Sequence, residues 1–240
     1  MKLYDAIINQ TNSILQQRSC RHYPPDPSRI WKDRGTSELV MLRDAAFELG
    51  GKGYESVNYT CATTTPGLIS SDEIIVCGPD LPDIHADVPF ARIVFLETED
   101  LQEATDTEKA YRNIREIEFI RYHVFPAGYM VRVSSTSNEE QVRISRKVID
   151  AGIRFSYVGG TYIRKYHTLP LVRHVRIIFV TDPDTVAALV PCAEKVDGIT
   201  KTLTHILDGL PTDCGHCQMK AVCDEVEGMR EMHLGKKAGK

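Results

Sequence analysis

The sequence predicts an α/β fold: a mixed or mostly parallel sheet flanked by helices, with a cysteine-rich metal loop at the C-terminal end. Three observations carry that expectation. Short β-branched apolar runs recur along the chain, helical patterns separate them, and Cys214, Cys217 and Cys223 crowd together after the last helix.

Residues 2–17 place Leu3, Tyr4, Ile7, Ile8 and Leu15 at helical spacing, which predicts an amphipathic helix. It should stop before Cys20-Arg21-His22-Tyr23-Pro24-Pro25, because a double proline removes amide donors and disfavours helix ahead of it. Residues 18–37 read as an irregular arm, and Ser37 to Glu48 as a second helix closed by Gly50-Gly51. Glu73-Ile74-Ile75-Val76-Cys77 is a compact strand ended by Gly78-Pro79, and Ala91 to Leu96 is a second. Over 106–122, Ala110, Ile114, Ile117 and Ile120 form one stripe with charges opposite, the mark of a surface helix. Tyr129 to Val133 is a third strand.

Ser137-Asn138-Glu139-Glu140 fits a capping box and predicts a helix running to Ala151 and ending at Gly152. Gly159-Gly160 frees the backbone before a short helix through Tyr166. Val172 to Val180 is the strongest strand. Asp182-Pro183 opens another helix, with Asp as cap and proline where its missing amide costs little; Pro191 should break or restart it. The organisation expected is an N-terminal helical arm over 1–45, an α/β domain over 46–210, and a cysteine-rich metal-binding segment and tail over 211–240.

The chain has 240 residues and a net charge of −4, so nothing suggests the basic face that nucleic acid requires. No apolar run approaches the ~18 residues that span a bilayer. The first residues lack the apolar core of a signal peptide, so a cytoplasmic, reducing location is expected. There, seven cysteines do not read as a disulfide frame, and Cys20, Cys61, Cys77 and Cys192 are expected to be packing or surface thiols.

The remaining cysteines form the pattern C-x2-C-x5-C. Soft thiolates at this density suit an iron–sulfur cluster, [4Fe–4S] being favoured, or a zinc ion held by three thiolates and an imidazole. A cluster of four irons normally takes four thiolates. The fourth ligand is then Cys192, His216 between the first two cysteines, His233 ten residues beyond Cys223, an exogenous ligand, or a group from another subunit. Zinc would staple the segment without catalysis and leave the chain an interaction module; a segment without metal is the third alternative. Gly159-Gly160 as a phosphate cradle is less favoured than a plain turn, and Gly50-Gly51-Lys52-Gly53 lacks the P-loop pattern. His123, His167 and His174 are scattered and read as core or surface histidines. Asp224, Glu225 and Glu227, next to Cys223, read as a solvated flank.

Several dispersed stretches occur in an order that resembles a known family. They are Glu48-Leu49-Gly50-Gly51, Glu73-Ile74-Ile75-Val76-Cys77-Gly78-Pro79-Asp80, Ile114-Arg115-Glu116-Ile117-Glu118-Phe119-Ile120, Ile149-Asp150-Ala151-Gly152-Ile153-Arg154-Phe155, Val175-Arg176-Ile177-Ile178-Phe179-Val180-Thr181-Asp182 and the cysteine loop. From Glu48 to about Gly228 the chain resembles the middle of the acetyl-CoA synthase (β) subunit of the carbon monoxide dehydrogenase/acetyl-CoA synthase complex. The resemblance implies that Cys214 and Cys223 are cubane ligands and that Cys217 is the thiolate on the nickel side. It also implies a corrinoid or methyltransferase protein as partner, in anaerobic one-carbon metabolism. The spacing from the second to the third cysteine is shorter than the family's, and its fourth cysteine and later Cys-Gly-Cys are missing. The expectation is therefore a short relative without the dinickel chemistry, serving in electron transfer or docking. A homodimer, through the N-terminal arm or a shared cluster, is the other partner expectation.

Overall fold

In a computed structural model of the chain, residues 2–99, 107–133, 139–207 and 217–226 are described. Helix α1, Asp5–Gln16, turns Ile7, Ile8, Thr11 and Leu15 inward and ends before the double proline, as its spacing predicts. The arm that follows is not wholly irregular. Cys20–Tyr23 forms strand β1, which Pro24 and Pro25 then close.

The helix expected over Ser37 to Glu48 is replaced by one 3-10 turn, Leu42–Asp44, and strand β2, Ala45–Leu49. Helix-forming residues fill this stretch, but Ala45, Phe47 and Leu49 alternate inward with period two. Cross-strand pairing therefore overrides local propensity. Gly50, at φ +60, turns the chain out of β2, and a Cβ there would meet the Glu140 carbonyl oxygen at 2.8 Å.

Strand β3, Ser56–Thr63, has no counterpart in the sequence reading, although Val57, Tyr59 and Cys61 alternate with Ser56, Asn58 and Thr60 at the period of a strand. Strands β4, Glu73–Cys77, and β5, Phe90–Thr98, fall where the apolar runs place them. Helix α2, Thr107–Ile120, buries Ile114, Ile117 and Ile120, and strand β6 spans Tyr129–Val133; both bear out the expectation.

Ser137, the expected cap, lies outside the described residues. The helix it was to open does not start there. Glu140–Ser145 is strand β7, and only Arg146–Asp150 is helical, as α3, with Gly152 at φ +82 ending the turn. The Glu140 carboxylate is engaged inside the protein and does not reach back to a helix end.

Helix α4, Phe155–Tyr166, contains Gly159 and Gly160, which do not precede it as expected. Close packing is their role: a Cβ on Gly159 would sit 2.8 Å from Cγ2 of Ile74, so its absence lets the helix approach the sheet. Strand β8, Val172–Val180, is as expected. Helix α5, Pro183–Leu207, runs through Pro191 without ending. The Asp182 carboxylate caps it, accepting from the Thr185 amide at 2.9 Å. Helix α6, Lys220–Glu225, follows.

The main sheet has the order β1-β4-β8-β5-β3. It is mixed: β4 with β8 and β3 with β5 are parallel, whereas β1 with β4 and β5 with β8 are antiparallel. Strands β2, β7 and β6 make a second, antiparallel sheet. The main sheet is covered on both faces, so every residue of β5 is buried. One face packs against α1 and α5 through Ile93, Phe95 and Ile178. The other meets α4, α2 and the small sheet around the stacked rings of Phe90, Phe155 and Phe179. The fold is thus α/β with a mixed sheet flanked by helices. No helix among the described residues is long and apolar enough to cross a membrane.

Candidate functional site

The sequence singles out the C-terminal thiols. Cys217 stands just before α6: its carbonyl accepts the Lys220 amide at 3.1 Å, and the Cys223 amide donates to the Met219 carbonyl at 3.1 Å. Both residues are half-buried, and Cys217 carries a free thiol. Val222, Cys223 and Val226 pack against the core on the α5 face, and a Cβ added to Gly198 would lie 3.3 Å from Val222 Cγ2. The segment is therefore anchored to the body of the fold at the glycine that lets it close in. Asp224 and Glu225 point to solvent, as expected of a charged flank. Cys214, His216 and His233 lie outside the described residues. Among the described residues, no three His, Cys, Asp or Glu side chains form a metal-holding group.

The other cysteines divide into two kinds. Cys61 and Cys192 are fully buried free thiols, and burial pushes the Cys61 thiol far up and that of Cys192 up as well. Both are unreactive packing groups in this state. Cys20 and Cys77 correct the expectation of free thiols. They face each other across β1 and β4, with Cα atoms 4.3 Å apart, and are joined in a disulfide. Fifty-seven residues separate them in sequence, so no spacing rule indicates the pair.

Sequence reasoning missed a second constellation. Arg92, in the middle of β5, is fully buried and donates from Nε to Glu140 Oε1 at 2.8 Å and from Nη2 to Oε2 at 2.5 Å. Glu140, the first residue of β7, is equally buried, and its Oε2 also accepts from the Asn58 side-chain amide on β3. Tyr162 of α4 lies under the guanidinium, 4.6 Å from ring centre to Cζ. Tyr166, Tyr129 of β6 and Thr60 complete the group. The signal was present in Ala91-Arg92-Ile93: a lone arginine inside an apolar strand requires a buried partner. Glu140, 48 residues away, cannot be identified by spacing.

The charges here are well defined. Burial alone would lower the Arg92 pKa, but the Glu140 carboxylate overrides it and holds the guanidinium well above its ordinary value. Burial raises the pKa of Tyr129, Tyr162 and Tyr166, with Arg92 offsetting part of that rise. Tyr59, packed with Thr11 on the opposite face, is raised far by burial too.

These shifts set a sign. A raised tyrosine pKa means that the folded chain holds protons which the unfolded chain releases near pH 10. The stability these phenols contribute is full below that pH and falls as pH rises beyond it. Absorbance at 295 nm should show Tyr59, Tyr129, Tyr162 and Tyr166 ionising late, in one step with unfolding, after the exposed members of the chain's ten tyrosines. A smooth titration of all ten with the fold intact would contradict the burial described.

Fold and thiols together define an α/β protein with a mixed, doubly covered sheet and a C-terminal thiol segment docked on its longest helix. Comparison with family models and with curated proteins finds no match to either.

Proposed function

We propose that the chain is an iron–sulfur protein, with Cys214, Cys217 and Cys223 as cluster ligands. The observation that carries this reading is that Cys217 and Cys223, six residues apart, stand half-buried on a segment fastened to the fold through Val222 and Gly198. Soft thiolates fit iron and sulfide well, and the body beneath them supplies a rigid base. The fourth ligand is sought among His216, His233 and an exogenous or partner group. A bound cluster would supply one-electron chemistry or an open iron. Following the resemblance, the role is electron transfer or docking to a corrinoid or methyl-transfer protein, in the cytoplasm of a cell with anaerobic one-carbon metabolism.

The test is purification without oxygen, followed by iron, zinc, nickel and acid-labile sulfide analysis with an absorption spectrum. About four iron and four sulfide per chain are expected, falling to background in Cys217→Ser/Cys223→Ser. About two of each would indicate a [2Fe–2S] centre or a cluster bridging a homodimer. One zinc without sulfide would make the segment a structural staple and end the iron–sulfur reading, as would a chain free of metal.

A further inference from the structure

The buried cluster around Arg92 has more polar atoms than it pairs. Arg92 Nη1, Asn58 Oδ1, Thr60 Oγ1 and the hydroxyls of Tyr129, Tyr162 and Tyr166 are buried without a hydrogen-bond partner. The Tyr166 hydroxyl lies beside Thr60 and Arg92, but outside hydrogen-bonding geometry with either. Such atoms are rare in folded proteins, because each costs the full desolvation of its group. Here six gather at one place, between the face of the main sheet, the small sheet and α4.

Topology brings them together. Asn58 and Arg92 are register partners on β3 and β5, and Thr60 follows Asn58 two residues on, on the same face. Tyr162 and Tyr166 are one helical turn apart on α4; Tyr129 pairs with Ile144, which shares its face of β7 with Glu140. Arg92 acts electrostatically on all three phenols.

The unpaired atoms combine one obligate donor, Arg92 Nη1, and one obligate acceptor, Asn58 Oδ1, with four hydroxyls that do either. A guanidinium nitrogen, three phenols and a threonine hydroxyl offer N–H or O–H donors. Asn58 Oδ1 offers the single obligate acceptor, since its amide nitrogen is committed to Glu140. The Arg92 charge is already met by Glu140, and the phenols are neutral. A carboxylate would bring a second negative charge beside Glu140. An uncharged molecule with a carbonyl oxygen for the donors and an N–H or O–H for Asn58 matches the set.

We propose that the cluster of Asn58, Thr60, Arg92, Tyr129, Tyr162 and Tyr166 is a binding site for a small uncharged carbonyl compound of the carboxamide type. Ordered water is the competing occupant, because it too satisfies buried donors. This site is separate from the thiol segment, so it stands or falls independently of the metal.

Acetamide is the probe and acetate at equal ionic strength its control, each titrated against the intact chain with binding followed by ligand-observed NMR. Saturable acetamide binding is expected, at least tenfold tighter than that of acetate. Tyr162→Phe and Thr60→Val each remove one hydroxyl while keeping the bulk, and circular dichroism confirms that they fold. Each should weaken acetamide at least tenfold. A crystal structure at saturating acetamide should place its oxygen among the phenols. Absent binding, binding equal in the variants or to acetate, or water alone at these six atoms would overturn the proposal.

Discussion

Glu140→Ala is expected to destabilise the protein by about 3–5 kcal/mol, because it leaves the Arg92 guanidinium buried and uncompensated. That is a large share of the ~5–15 kcal/mol that holds a typical domain together. Arg92 is 0% exposed, so bulk solvent does not screen the charge that the lost carboxylate leaves behind. The Asn58 amide would lose its acceptor in the same step. The Glu140 backbone is tied in as well: its amide donates to Ser56 Oγ at 2.7 Å, and its carbonyl accepts from the same hydroxyl. These backbone bonds survive truncation, so the loss is that of the side-chain bonds to Arg92 and Asn58.

The pair need not stabilise the fold relative to an apolar core. Desolvating two charges costs about as much as their attraction returns, and apolar replacement of a buried pair is often neutral or favourable. Arg92→Met/Glu140→Met should therefore recover most of the loss seen in Glu140→Ala. Urea denaturation of the three chains, compared at equal slope, measures both effects. A single variant costing under about 1 kcal/mol would mean that solvent reaches Arg92, against the burial described.

Reducing the Cys20–Cys77 disulfide is expected to cost about 2–4 kcal/mol. The bond closes a loop of 57 residues, for which the loss of unfolded-chain entropy amounts to roughly 4 kcal/mol, less whatever structure the reduced unfolded chain retains. It also holds β1, a four-residue edge strand, against β4. Cys77 is buried, so Cys20→Ala/Cys77→Ala is the clean comparison, leaving no stray hydroxyl in the core. Urea midpoints with and without dithiothreitol should differ in the parent chain and coincide in the double variant. Coincident midpoints in the parent, with alkylation proving both thiols free, would remove the bond from the stability of this fold. In a reducing cytoplasm such a bond is open to exchange. Half-buried Cys20 is the more accessible of its two sulfur-bearing residues.

What the sequence by itself determined is whatever one segment's own pattern dictates. Strands β4, β5 and β8 carry the apolar runs Ile74-Ile75-Val76, Ile93-Val94-Phe95-Leu96 and Ile177-Ile178-Phe179-Val180, because both faces of the central sheet are covered. Helices α1 and α2 show their stripe, and Asp182-Pro183 marks the start of α5. The spacing of Cys214, Cys217 and Cys223 is legible in the sequence, and Cys217 and Cys223 stand half-buried on a docked segment.

The tertiary structure alone decided the rest, wherever the deciding partner is far along the chain. Ala45 to Leu49 and Glu140 to Ser145 carry helix-compatible residues. They are strands because they pair with each other, with Arg143 of one bonding Glu48 of the other at 2.6 Å across 95 residues. Pro191 lies within a continuous α5, packed along the main sheet and α1, although the local rule breaks a helix there. The Cys20–Cys77 bond and the Arg92 cluster follow the same logic. A cysteine or an arginine states its need for a partner locally, but only the folded sheet brings Cys77 to Cys20 and Glu140 to Arg92.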